Sequence, residues 1–148
     1  YRVKKHYIII GILILIILGI VISQKILNKG DAEVKFRVLE AREIPDKIKE
    51  ILPKYLSEEK ALTCRLNDEI YVVVTRGEKK TGGYSVEVDN IIKEEVEDGE
   101  FKITVVAKYS DPAPGEIVTQ GFDYPFVIVK TDLDTMPKSI DLEVKYED

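Results

Sequence analysis

Ile70-Tyr71-Val72-Val73-Val74, Tyr84-Ser85-Val86-Glu87-Val88 and Phe101-Lys102-Ile103-Thr104-Val105 decide the fold. From Ala61 onward apolar residues recur with a period of two, the spacing that lines one face of a strand. Tyr124 to Val129 and Ile140 to Tyr146 continue the series. Gly77, Gly82-Gly83, Asp98-Gly99 and Pro112-Ala113-Pro114-Gly115 punctuate it as turns. The connections are too short for crossover helices, so the sheet is expected to be antiparallel.

Upstream the period lengthens. Ile48, Ile51, Leu52, Tyr55 and Leu56 fall at i, i+3, i+4, i+7 and i+8, one apolar helix face, with Pro45 and Asp46 suited to a first turn. Pro53 cannot donate to the carbonyl of Lys49, so a kink or restart is expected near Leu52. Val34-Lys35-Phe36-Arg37-Val38-Leu39 reads as a short opening strand. Further back, Tyr7 to Ile22 carries no charge and is nearly all Ile, Leu, Val and Gly. Spanning a bilayer takes about 20 apolar residues, so this run reads as a short transmembrane helix, left uncleaved because no Ala-x-Ala site follows it. The expected fold class is therefore α+β: a mostly antiparallel β-sheet with one covering helix, preceded by a single N-terminal transmembrane helix.

Charge divides the chain at the same place. All 27 acidic residues lie at or beyond Asp31, while Arg2, Lys4, Lys5, Lys25 and Lys29 precede it. The region from Asp31 keeps 17 of the 22 basic residues and a balance of −10, a field that repels phosphate backbones and excludes nucleic acid as a partner. The bias of basic residues toward the N-flank puts that flank in the cytoplasm. Residues 1–30 are then the cytoplasmic flank, anchor and linker, and residues 31–148 an extracytoplasmic β domain at the cell membrane.

The constellations of an enzyme are missing. The only histidine, His6, precedes the domain, which removes Ser-His-Asp, Cys-His and HExxH arrangements, and neither a P-loop nor a dinucleotide fingerprint occurs. Cys64 is the only cysteine, so no internal disulfide forms, and its strand-like setting reads as a buried, inert thiol. Asp132-Leu133-Asp134 lacks the further ligands a Ca²⁺ site needs. No catalytic residue, metal, cofactor or small-molecule substrate is expected.

Binding is the remaining chemistry. In a meander successive turns alternate between the two ends of the sheet, so the Gly77 to Gly83 and Ser110 to Thr119 loops, turns one and three, should share an end, with Glu97 to Glu100 at the other. Both loops are richer in Gly and Pro than a hairpin needs, and loops carried on a rigid sheet are where binding concentrates. The same residues also suit plain turns, Gly82 and Gly83 through positive φ and Pro112 and Pro114 through stiffness. The candidate partner-binding residues are Lys79, Lys80, Thr81, Gly82, Gly83, Tyr84, Asp111, Pro112, Pro114 and Gly115. Tyr84 is the first anchor candidate, and Lys79 and Lys80 are steering charges on an acidic domain.

Gly77 to Val88, Asp111 to Gln120 and Tyr124-Pro125-Phe126-Val127-Ile128-Val129-Lys130 together resemble the C-terminal domain of the protease complex subunit PrcB family, over roughly Phe36 to Tyr146. The resemblance implies a bacterial envelope protein that is an accessory or stabilising subunit of a surface, subtilisin-like protease. Lys80 stands where the family often has proline, and many members are lipoproteins. A looser likeness, in Thr81 to Tyr84 and Tyr109 to Pro112, is to chagasin-type inhibitors of cysteine proteases, although their loop tryptophan is absent. The alternatives to a protease-complex subunit are thus a loop-presenting inhibitor or a structural envelope protein with no protease partner.

Overall fold

A computed structural model describes residues 32–147. Its strands are β1 (Ala32–Glu33), β2 (Phe36–Val38), β3 (Glu59–Leu66), β4 (Glu69–Arg76), β5 (Lys79–Thr81), β6 (Ser85–Glu95), β7 (Phe101–Ser110), β8 (Gln120–Asp123), β9 (Phe126–Thr131) and β10 (Ser139–Tyr146). Two four-stranded sheets, β1-β6-β7-β10 and β2-β9-β4-β3, enclose the core, and β5 and β8 form a separate ribbon.

Where the expected fold had one antiparallel sheet, there are two, and β10 runs parallel to β7. The reason lies in the connections. The chain crosses from one sheet to the other after Val34, after β4, after β7 and after β9, so strands adjacent in sequence are rarely adjacent in a sheet. Val34 already donates to the Ile91 carbonyl of one sheet, and Leu39 to the Ile128 carbonyl of the other. The single opening strand expected from Val34 to Leu39 is therefore two short strands in different sheets. Because the link after β9 crosses between sheets, β10 enters beside the start of β7 and needs no crossover helix.

Burial explains the sequence patterns. In β4, Ile70, Val72 and Val74 face the inter-sheet core with Val86, Val88, Ile103 and Val105. Val73 points the other way, to a second cluster with Ile128, Leu39, Ile48 and Leu52. A strand covered on both faces reads as a continuous apolar run, whereas β6 alternates Val86 and Val88 with exposed Glu87 and Asp89. A bulge between Val88 and Asn90 then shifts the register by one, which keeps Ile91 in the core.

The cover on the second sheet is α1 (Asp46–Ile51), continued by a 3-10 turn over Leu52–Lys54 that carries Pro53 near its start. Ile48 and Leu52 are buried beneath it, and Ile51 and Tyr55 are half-buried. Among the described residues no helix is long and apolar enough to cross a membrane. Helix α1, with Asp46, Lys47, Lys49 and Glu50 in six residues, rises only about 9 Å against a hydrocarbon core of about 30 Å. The N-terminal transmembrane helix of the expected fold class is not supported. Residues 1–30, on which that helix, the cytoplasmic flank and the membrane partner were expected, lie outside the described residues.

Candidate functional site: two loops joined over a buried arginine

Arg76 ends β4 at only 3% exposure. Its Nη1 donates to the carbonyls of Ser85 at 3.0 Å and Ser110 at 2.9 Å, the first residue of β6 and the last of β7. Its Nη2 pairs with the half-exposed carboxylate of Asp111, and its backbone N–H donates to the Pro125 carbonyl at 3.0 Å. The guanidinium carbon lies 4.4 Å from the ring centre of Tyr109, 5.1 Å from that of Tyr84 and 5.9 Å from that of Tyr146. A buried cation is tolerated when a counter-ion, carbonyls and aromatic faces replace its water, and guanidinium is suited to all three. One side chain thus ties the end of one sheet to the roots of both loops on the other.

The loops are joined to each other as well. Lys79 pairs with Asp123 and Thr81 with Gln120 across the β5–β8 ribbon, and the Gly82 N–H donates to the Thr119 carbonyl at 2.9 Å. Gly83 has φ +94°, and a Cβ there would stand 2.7 Å from Val118 Cγ1 and 3.0 Å from Pro112 Cβ. Both its backbone angle and its neighbours require glycine. Beyond Pro112, the Ala113 N–H donates to Glu116 Oε2 at 2.8 Å and the Glu116 N–H to the Ala113 carbonyl at 3.0 Å, closing a turn with Gly115 at φ +80°. The Gly77 to Gly83 and Ser110 to Thr119 loops lie at one end of the domain. They meet because β4, β7 and the starts of β6 and β9 all reach that end, not because a single meander alternates its turns.

The ten candidate residues are placed as follows. Lys80, Gly83, Asp111, Pro114 and Gly115 are exposed, and Lys79, Thr81, Gly82, Tyr84 and Pro112 are half-buried. Tyr84 is not a free-standing anchor: one neighbour of its ring is Arg76 and another is Lys79, whose Nζ lies 5.3 Å from the ring centre. The side chains that do stand free were not singled out from the sequence. Ile117 is 98% exposed and Phe122 68%. Their only signal is that both are apolar in a stretch without strand periodicity. Arg76 was missed too, though a basic residue closing an apolar run before a glycine is a visible irregularity.

Burial, with the Glu59 carboxylate adding to it, holds the Tyr109 hydroxyl protonated far above its ordinary range. The Tyr124 hydroxyl donates to Glu78 Oε1 at 2.8 Å, which also raises its pKa. Cys64 is half-buried on the helix-covered sheet, away from both loops, and burial pushes its thiol up. A thiol so shifted is a poor nucleophile. Among the described residues no group of three His, Cys, Asp or Glu is placed to hold a metal ion.

No curated protein matches the chain. No solved structure matches it either. Residues 70–132, from β4 through β9 and including both loops and the ribbon, match the model of the family described as PrcB C-terminal. Over residues 70–132 the chain is thus similar to the PrcB C-terminal family, as its loop motifs had led one to expect.

Proposed function

We propose that this domain is a non-catalytic protein-binding module, and that it acts as an accessory or stabilising subunit of a surface protease of the subtilisin type. The observation that carries the binding reading is the joined loop end, where rigid polar bonding beneath holds exposed apolar and basic side chains above. Arg76 fixes both loop roots, while Ile117, Phe122 and Lys80 remain free to meet a partner. Apolar side chains ringed by charge on a preformed surface are what protein interfaces use. Lys79 and Lys80 add steering to a domain that is otherwise acidic. The protease itself comes from the family resemblance, and with it we propose an extracytoplasmic setting.

Co-purification tests this reading. The wild-type chain should retain a subtilisin-type protease, identified by mass spectrometry. A folded variant with Lys79→Glu, Lys80→Glu and a shortened Pro112 to Gly115 segment should lose it. Undiminished retention by that variant would place the contact elsewhere. One observation favours the inhibitor alternative, the outward reach of Ile117, and it has its own readout: inhibition of the retained protease by the isolated chain.

A further inference from the structure

Ile117 is 98% exposed, more than any other large apolar side chain at the surface among the described residues. An isolated apolar side chain in that position usually needs no explanation. Ile117 differs because the chain on either side of it is fixed. Before it, the Glu116 N–H donates to the Ala113 carbonyl at 3.0 Å, and Glu116 Oε2 accepts from the Ala113 N–H at 2.8 Å. After it, Val118 is half-buried with Cγ1 against Gly83, and the Thr119 carbonyl accepts from the Gly82 N–H at 2.9 Å. A loose loop could fold an isoleucine back onto apolar surface. This one holds it out in water between anchored neighbours.

Burial of that side chain by a partner is therefore favourable and inexpensive in order. Isoleucine, branched at Cβ, has few rotamers to lose, and the loop that carries it is ordered beforehand. The same exposure decides the shape of the partner's surface. With almost none of Ile117 sheltered by its own domain, a flat partner covers one side of it, whereas a concave pocket covers it all round. A lipid surface fits less well, because the Glu116 carboxylate is exposed beside it and one aliphatic side chain gives only marginal attachment to a bilayer.

We propose that Ile117 is the anchor residue of the loop end, and that it enters a concave apolar pocket on the partner protein, sized for one branched aliphatic side chain. The inference rests on the protein-binding reading and names the contact through which that binding is made.

The test is a size series at position 117, with affinity measured against the subtilisin-type protease that the wild-type chain retains, made recombinantly. Ile117→Ala and Ile117→Ser should weaken binding about tenfold or more, and Ile117→Val about fourfold. Ile117→Trp should weaken it about tenfold as well, because a pocket fitted to isoleucine cannot admit the larger ring. Melting temperatures should stay unchanged across the series, since the exposed side chain supports nothing in the fold. Equal or tighter binding by Ile117→Trp would mean a flat contact, and unchanged binding by Ile117→Ser would mean no contact; either overturns the inference. So does association of the wild type with phosphatidylglycerol vesicles that Ile117→Ser abolishes. The protein-binding reading survives those results if retention still depends on Lys79, Lys80 and the Pro112 to Gly115 segment, whereas a wild-type chain that retains no protease overturns both.

Discussion

The helix-covered face of the second sheet and the loop end are held together by opposite means. Under α1, Ile48, Leu52, Val73 and Ile128 pack as apolar side chains with no polar partner required. At the loop end one buried cation organises two carbonyls, a carboxylate and three aromatic rings. Apolar packing is spread over many small contacts and degrades gradually, whereas a buried charge concentrates the stability of a region in one side chain.

The sharpest way to break that contrast is Arg76→Ala. It removes the side-chain hydrogen bonds, ion pair and ring contacts that join Arg76 to the loop roots, and should cost about 3–5 kcal/mol, measured by urea denaturation. A cost under about 1 kcal/mol would mean that the loops hold themselves. On the apolar side, Leu52→Ala should cost on the order of 2–5 kcal/mol by the same measurement, with hydrogen exchange rising only near α1 and β3. Gly83→Ala comes next, because it forces an L-residue to φ +94° against Val118 and Pro112. A loss of about 1–3 kcal/mol is expected, with faster amide exchange at the ribbon.

Tyr109→Phe sharpens the comparison through pH. The Tyr109 hydroxyl is buried without a hydrogen-bond partner, so at neutral pH its removal should change stability by less than about 1 kcal/mol. Folded Tyr109 ionises well above the ordinary value of 10.0. Its contribution is whole below that pH and is lost as pH rises beyond it, because the unfolded chain releases its proton first. The variant should therefore lose less stability than wild type between about pH 9 and pH 11, a difference that denaturant titrations across that range would show. The smallest effect is expected at Ile117→Ser, within about 0.5 kcal/mol, since a fully exposed side chain supports nothing in the fold.

The same contrast explains what the sequence could reveal. Periodicity reports which side chains seek an apolar neighbour, so the strands around Val72, Val86, Ile103 and Ile128 and the helix ending before Pro53 were legible. Periodicity does not say which sheet a strand joins, so the division into two sheets and the parallel placement of β10 were not. Nor does it report a polar junction. Arg76 acts through carbonyls that every residue possesses and through rings brought from distant strands, and no local pattern encodes that meeting. The family motif located the loops because their glycines and prolines are local necessities. The exposure of Ile117 and Phe122 was not legible, because it depends on what the rest of the chain leaves uncovered.

The pairing of β10 with β7 carries a consequence in time. Ser139 lies beside Lys102 and Tyr146 beside Tyr109, so this ladder joins segments far apart in sequence, with β8 and β9 formed between them. Such pairing closes a long loop before any contact offsets its entropy, and domains built this way fold slowly. Tyr146 reaches Arg76 and meets Tyr109 edge-on at 5.6 Å only once β10 is in place. Of the three rings around Arg76, that of Tyr146 is thus the most distant in sequence. A chain whose β10 is not yet paired would lack the Tyr146 ring beside Arg76 at the loop end.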